Sequence, residues 1–165
     1  MKRVLLISII LSLVLSFAAC TESITTYKNP VTFYYRSEDI TYGELSTVIQ
    51  SEIRESKGYA DDEQSIIEQY LNGPQTKGFI SPFPAGTTVE SFSIDGNKIQ
   101  ITLSPHLAIL NGADLMIACA CLTKTVADLT GTNTVQIRAD GCMLNNQESI
   151  TMTADSFICI DESLG

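Results

Sequence analysis

The sequence predicts a small domain of the α+β class. Residues 98–103 alternate polar and apolar side chains, as expected of a strand with one buried face. Apolar residues recur at steps of three and four along 115–129, which indicates a helix with one buried stripe. The apolar face of the strand needs a cover, and a helix is the expected one. Without residues 1–19, which have the character of an export signal, 146 of the 165 residues remain, enough for one domain.

The first 19 residues have the layout of a secretion signal. Lys2 and Arg3 supply a positive start, and residues 4–15 are apolar apart from two serines. This run is shorter than the roughly 20 residues of a membrane-spanning helix. Small side chains then precede Cys20, an arrangement that resembles the bacterial lipobox, in which the cysteine is acylated and becomes the new N-terminus. We therefore predict attachment to the cell membrane through lipid on Cys20, on the extracytoplasmic face.

Two alternatives remain for this segment, an ordinary signal peptide cut after Ala19 and an uncleaved N-terminal anchor. In either case Cys20 would be an ordinary thiol. The polar residues 20–30 are predicted to form a flexible tether between the membrane and the folded domain.

The charge balance argues against two classes of direct partner. The chain has 10 basic and 19 acidic residues, and loss of Lys2 and Arg3 with the signal leaves 8 against 19, a net charge of −11. Nucleic acid and an anionic bilayer surface would both repel such a protein. Neither is predicted as a direct partner.

The first half of the domain is predicted to contain two strands and a helix. Residues 31–36 are rich in β-branched and aromatic side chains and open the domain as a strand. Residues 45–53 follow a turn at Gly43 and favour a second strand, with a helix as the alternative. Asp61 is predicted to cap a helix that stops at the Asn-Gly-Pro of 72–74. The apolar face of this helix consists of Ile66, Ile67, Tyr70 and Leu71.

A hairpin is predicted next. The Asp-Gly-Asn of 95–97 supplies residues that tolerate positive φ, and it connects a strand at 88–94 to the alternating strand at 98–103. A loop with two prolines, at 75–86, leads into this hairpin.

The long helix is predicted to follow the hairpin. Asn111 begins it, Asp114 completes a capping arrangement and favours the positive end of the helix dipole, and Gly131 ends it. A strand with Val135 and Ile137 inward then occupies 134–138. The last predicted element is a terminal hairpin with strands at 149–153 and 156–160.

Four of the five cysteines lie in the folded part, and an exported protein can pair them. The buried stripe of the long helix includes Cys119, whereas Cys121 lies about 200° further round, on a half-polar face. We predict at most one disulfide, between Cys121 and either Cys142 or Cys159. No metal site is predicted, because Cys119 and Cys121 lack zinc-knuckle spacing and the single histidine, His106, is distant from both in sequence.

The order of turns and strands along 31–141 resembles the GerMN domain, a module of sporulation and spore-germination proteins. The matching stretches are Phe-Tyr-Tyr at 33–35, Tyr-Leu-Asn-Gly-Pro at 70–74, Ser-Pro-Phe-Pro-Ala-Gly-Thr at 81–87, Asp-Gly followed by a strand at 95–104, and the strand and turn at 135–141. Thr102 stands where the family usually has Asp. Residues 142–165 lie outside the match and are predicted to be a C-terminal extension.

The resemblance implies a mixed or antiparallel sheet of about four to six strands with two helices on one face. It also implies similarity to the ring-building modules of secretion and sporulation channels, which act by docking on other proteins. Catalytic residues and cofactors are not implied. The chain carries one copy of the module, whereas the namesake germination lipoprotein has two.

Residues that could support chemistry have simpler interpretations. His106 follows Ser-Pro at the end of a strand with no catalytic motif around it, so a loop or helix-entry residue is expected there. The acidic residues 61–63 could bind calcium, but the first turn of a helix favours acidic residues through its dipole.

Tyrosines suggest a second, competing function. Tyr34 and Tyr35, with Tyr27 and Tyr42 nearby, could form the floor of a sugar-binding groove, although neighbours in a strand point to opposite faces.

We therefore predict a non-catalytic scaffold or assembly factor of the cell envelope, with a role in sporulation or germination implied by the resemblance. The expected partners are envelope proteins, with a ring or channel assembly among the candidates. The alternative is a lipoprotein that binds a small ligand or a cell-wall glycan.

Overall fold

The computed structural model describes residues 27–39, 48–56 and 62–156. Within these ranges the chain forms seven strands and two α-helices, so the predicted α+β class is confirmed. In chain order the elements are β1 (Pro30–Ser37), β2 (Ile49–Glu55), α1 (Glu63–Leu71), β3 (Phe79–Ile80), β4 (Val89–Asp95), β5 (Lys98–Leu103), α2 (Gly112–Thr130), β6 (Thr134–Ala139) and β7 (Ile150–Thr153), with 3₁₀ helices at Pro105–Ile109 and Ala154–Ser156.

The described strands form two sheets instead of the single sheet expected. The first has the order β2-β1-β3 and the second β4-β5-β6-β7. All pairs are antiparallel except β5 and β6, which run parallel and are connected through α2. Strand β7 pairs with β6, so the packed unit continues beyond Gly141 into the region predicted to be an extension. The second strand of the predicted terminal hairpin, 157–160, lies outside the described residues.

Helix α2 is buried around most of its circumference, because it contacts β1 of the first sheet and both β6 and β7 of the second. Cys119 is buried, as predicted. The half-polar face predicted for Cys121 is wrong, since this residue is also fully buried. Strand β1 covers that side of the helix, and the backbone N–H of Tyr34 donates to Oγ1 of Thr125, one turn beyond Cys121, across 2.9 Å.

The two sheets and both helices share one hydrophobic core. Tyr35 of β1, Tyr70 of α1, Leu122 of α2 and Ile137 of β6 are all fully buried in it. Each buried side chain of this size stabilises the fold by roughly 1.5–3 kcal/mol relative to exposure. The core therefore holds the two sheets together as one unit.

The ends of α1 depend on two local features. The N-cap is Asp62, one residue later than the Asp61 predicted from the sequence, which lies outside the described residues. Asp62 accepts hydrogen bonds from the backbone N–H and the hydroxyl of Ser65, and these bonds lower the pKa of its carboxyl. The helix stops at Asn72, and Gly73 takes φ of +94°, so the predicted stop is confirmed.

Helix α2 begins without the side-chain cap that was predicted. Asn111 is the N-cap residue, but its side chain makes no capping hydrogen bond. Asp114 instead forms an ion pair with Arg36 of β1, with 3.0 Å between Oδ1 and Nη1. Gly131 ends the helix as predicted, with φ of +71° and its N–H bonded to Ala127 O.

The hairpin predicted at 95–97 is confirmed. Asp95 pairs with Lys98 across the turn, and Ile94 pairs with Ile99. The strand predicted for the second segment is also confirmed from Ile49 onward, whereas residues 45–47 lie outside the described part.

Candidate functional site

The four-stranded sheet has one face in the core and one face open to solvent. Ile99, Ile101, Val135 and Ile137 point into the core and are buried. The alternate residues are exposed or half-buried, and all of them are polar or charged. We call this surface the open face; its residues are Ser91, Ser93, Asp95, Lys98, Gln100, Thr102, Thr134, Gln136, Arg138, Thr151 and Thr153.

The register of the strands places side chains of the open face side by side in rows, and these side chains can form hydrogen bonds. Gln100 lies opposite Ser93 on one neighbour and Gln136 on the other, and Gln136 lies opposite Thr151. Gln136 also donates from Nε2 to Ser149 Oγ across 2.8 Å. Side-chain amides and hydroxyls both donate and accept, so this face can bind a polar partner surface along four strands.

A cavity of about 340 Å³ lies at one end of the open face, where β5 and β6 end. Thr102 and Arg138 reach it from the sheet, and the loop after β6 supplies the rest of its wall. The lining residues are Thr102, Arg138, Ala139, Asp140, Gly141, Cys142, Met143 and Glu148. Ligands of open sheets commonly bind at the carboxyl ends of parallel strands, which is the position of this cavity.

Backbone hydrogen bonds fix the loop that forms the cavity wall. Asp140 N–H donates to Leu103 O across 2.8 Å, and Cys142 N–H donates to Ala139 O across 3.2 Å. Leu144 and Gln147 exchange two bonds of 2.8 and 2.9 Å around a tight turn, and Leu144 is buried in the core. The loop is therefore held at both its beginning and its end.

Positively and negatively charged side chains line this cavity, and the described residues show no ion pair between them. Arg138, Asp140 and Glu148 are all exposed. Among the described residues the ion pairs are Arg36–Asp114 and Arg54–Glu52, and no side-chain hydrogen bond involves the three charged groups of the cavity. They are free to bind a ligand.

The thiols differ in accessibility. Burial raises the pKa of the Cys119 thiol to about 12, so this group stays protonated. Cys142 is a half-buried free thiol at the cavity, and the structure describes no bond between it and Cys121. Cys159 lies outside the described residues, so a Cys121–Cys159 disulfide stays a prediction.

Tyr34 and Tyr35 do not form a groove together. Tyr35 is fully buried, and its hydroxyl donates to Tyr70 O across 2.8 Å. Tyr34 points the other way, where its hydroxyl donates to Asp128 Oδ2 across 2.8 Å and Lys124 Nζ lies 5.0 Å from its ring centre. Tyr27 is half-buried, and Tyr42 lies outside the described residues. The predicted sugar-binding floor of tyrosines is therefore wrong for this pair.

A buried ion pair was not foreseen from the sequence. Glu52 and Arg54 of β2 point inward, and their side chains are only 5% and 7% exposed. Glu52 accepts from the N–H groups of Gln75 and Thr76 across 3.0 and 2.6 Å, and Arg54 donates to Gly73 O across 2.7 Å. The pair therefore holds the loop that follows α1.

His106 lies in the 3₁₀ helix after β5 and is exposed, as expected of a helix-entry residue. Its Nδ1 is 3.2 Å from Oγ of Ser104, and its ring packs over Gly86, where a Cβ would lie 3.6 Å from Nε2. Ser104 is buried and its Oγ accepts from Thr88 N–H across 3.1 Å. Within the described residues no carboxylate bonds to His106, so this pair connects loops and lacks the orienting group of a catalytic triad.

The described residues contain no cluster of three potential metal ligands, and Asp62 of the acidic run serves as a helix cap. None of the described helices has the length and apolar character needed to cross a bilayer.

Comparison with known proteins agrees with this architecture. A family model described as "Sporulation and spore germination" (Germane) matches residues 32–145, from β1 through the loop that lines the cavity. The first GerMN domain of the sporulation protein GerM from Bacillus subtilis is similar in structure, with a TM-score of 0.52 and 19% identity over 67% of this chain and 84% of that one.

The tandem GerMN domains of the same Bacillus subtilis protein give a TM-score of 0.55 and 16% identity over 83% of this chain and 49% of that one. This chain thus spans about half the length of the tandem structure. No curated protein sequence matches the chain. The structural likeness shows a shared fold, and the family model covers more than two thirds of the sequence; the chain is accordingly a member of the Germane family of sporulation and spore-germination domains.

Proposed function

We propose that this protein is a lipid-anchored domain on the extracytoplasmic side of the cell membrane, and that it docks on other envelope proteins in sporulation or spore germination without catalysing a reaction. Membership of the Germane family supports the biological setting. The basic start, the apolar run and the small residues before Cys20 support export and acylation.

The open face is the observation that carries the docking role. Its hydrogen-bonding side chains are aligned across four strands by the register, and α2 packs on the opposite side of the sheet. Interfaces between proteins carry about one hydrogen bond per 100–200 Å² of buried area, and the side chains of this face can supply such bonds to a partner. Gln100 is an exposed neutral position on an inner strand of this face, and Thr151 is one on an outer strand.

The tether sets where docking can take place. Residues 20–30 span at most roughly 35 Å when fully extended. With the lipid on Cys20, the domain therefore contacts proteins that are embedded in the membrane or lie within a few nanometres of it. A single acyl chain binds a bilayer only marginally, so the several chains expected on a lipobox cysteine are needed for stable attachment.

A non-catalytic role is supported by the contacts of the Ser104–His106 pair. Ser104 is buried and already bonded to the backbone of Thr88, so its hydroxyl is poorly placed to attack a substrate.

Labelled palmitate tests the anchor. We expect the label in the natural protein and none in Cys20→Ala, and an unlabelled natural protein would overturn the anchor.

Arginine substitutions test the docking face. In cells, Gln100→Arg and Thr151→Arg should abolish co-purification of the envelope partner, because each places a charge among neutral neighbouring side chains of the open face. Ser51→Arg, at an exposed strand position in the other sheet, is the matched control and should retain the partner. Equal loss in all three variants, or in none, would refute the assignment of the face.

A further inference from the structure

We propose that the cavity at the ends of β5 and β6 binds a small dipolar ligand, either an amino acid or the end of a short peptide, which carries a carboxylate and an ammonium group. This inference goes beyond docking through the open face and does not depend on it.

The charged residues of the cavity indicate a ligand that carries both a positive and a negative charge. Arg138 offers a planar guanidinium, which binds carboxylates through two parallel hydrogen bonds. Asp140 and Glu148 line the same space and accept hydrogen bonds from an ammonium group. A simple anion would be repelled by the two carboxylates, and a simple cation would leave the guanidinium without a partner. A dipolar ligand satisfies all three groups together.

The size of the cavity fits a small ligand. A volume of about 340 Å³ is at the small end of the range for ligand sites and is enough for an amino acid, a dipeptide or the end of a peptide. Met143 is 55% exposed, and with the half-buried Cys142 it offers a soft apolar contact for a small side chain. Thr102 adds a neutral hydroxyl at the sheet end of the cavity.

The charged groups are attached to rigid backbone. Arg138 belongs to β6 and lies opposite Thr102 of β5 in the parallel register. Glu148 precedes Ser149, whose hydroxyl is bonded to Gln136 of the same strand across 2.8 Å. The turn between them contains Asn145 and Asn146 at positive φ of 47° and 64°, a conformation that asparagine tolerates. The backbone of this site is therefore already in place before binding, and only the side chains remain to be ordered.

Titration calorimetry of the full chain tests the proposal, with alanine and alanyl-alanine as probes. We expect at least one of them to bind, and the tighter of the two identifies a free amino acid or a peptide end as the source. N-acetyl-alanyl-alanine lacks the ammonium group and alanyl-alanine amide lacks the carboxylate, so both should bind at least about tenfold more weakly than alanyl-alanine.

Variants of exposed residues provide the second readout. Arg138→Gln and Glu148→Gln should each weaken binding about tenfold or more while the unfolding temperature of the free protein stays unchanged. Lys98→Gln, on the same face but outside the cavity, is the control and should bind as the natural protein does. The proposal is refuted if neither probe binds at millimolar concentration, if the acetylated peptide binds as tightly as the free one, or if Arg138→Gln leaves affinity intact.

Discussion

Arg54 and Tyr35 meet in the interior of the first sheet, where Nη2 of Arg54 donates a hydrogen bond to the hydroxyl oxygen of Tyr35 across 2.9 Å. The same hydroxyl donates to Tyr70 O, and burial raises its pKa above the ordinary tyrosine value, so the proton stays in place. The guanidinium also lies 4.9 Å from the ring centre of Phe33. One buried cation thus connects β1, β2 and the end of α1.

Removal of this cation should destabilise the fold strongly. We expect Arg54→Met to lower the free energy of unfolding by about 3–5 kcal/mol, because it leaves the carboxylate of Glu52 buried without its partner. Urea denaturation followed by circular dichroism measures the loss.

The double variant Glu52→Met/Arg54→Met is the control for this prediction. It removes both charges, so it should be more stable than Arg54→Met alone. Equal or greater destabilisation of the double variant would show that packing against Phe33 and Tyr35, and not the unpaired charge, dominates.

The stability of the fold should depend on pH through the titration of the Glu52 carboxyl. Burial alone would raise the pKa of this carboxyl, but hydrogen bonds from Thr76 and Arg54 outweigh burial and lower it. The unfolded chain therefore takes up a proton at Glu52 at a higher pH than the folded protein does. The stabilisation contributed by Glu52 is complete above the pKa of the carboxyl in the unfolded chain, which is about 4.3. It disappears as the pH falls through the lower pKa of the folded protein.

Thermal unfolding of Glu52→Gln between neutral and acidic pH checks this expectation. The variant should be less stable than the natural protein at neutral pH, and its unfolding temperature should fall less steeply below about pH 4.3. Parallel curves for the two proteins would contradict the lowered pKa.

The cap of α1 can be tested at Asp62. Asp62→Ala removes the acceptor for Ser65 N–H and should lower the unfolding temperature by about 3 °C. Asp62→Ser keeps a capping oxygen and should recover most of the loss. If both variants unfold at the same temperature, the cap is not the origin of the effect.

Thiol reactivity should follow burial. In the native protein Cys142 should react with maleimide before Cys119 and Cys121, because both of the latter are fully buried and the pKa of Cys119 is about 12. Peptide mapping by mass spectrometry after brief labelling identifies the site, and Cys142→Ser should remove the early adduct. Early labelling of Cys119 would contradict the placement of α2 between the sheets.

Elements determined by local chemistry were predictable from the sequence. The turn at Gly96 and the helix stop at Gly131 both require backbone conformations that glycine adopts readily, and both are found where the pattern indicated. The cap of α1 was displaced by one residue because two adjacent aspartates offer the same chemistry.

Features that depend on distant packing were not predictable. Strand β2 inverts the usual pattern, because apolar Ile53 is exposed while charged Glu52 and Arg54 are buried. The two charged side chains can be buried because the loop after α1 supplies their hydrogen-bond partners. Cys121 was assigned to a polar face because sequence spacing reveals one buried stripe, whereas two sheets cover α2.

The cavity was missed for a related reason. Thr102 and Arg138 are far apart in sequence and become neighbours only through the parallel pairing of β5 and β6. The strand–helix–strand order of 98–138 is the signal that could have suggested this pairing.

Crosslinking in living cells tests the central claim most directly. A photoreactive amino acid at Gln100, in the middle of the open face, should form adducts with membrane-associated envelope proteins when Cys20 is intact, whereas the same group at Ser51 should form none. Absence of adducts from Gln100, or the same adducts from Ser51, would contradict docking through the open face.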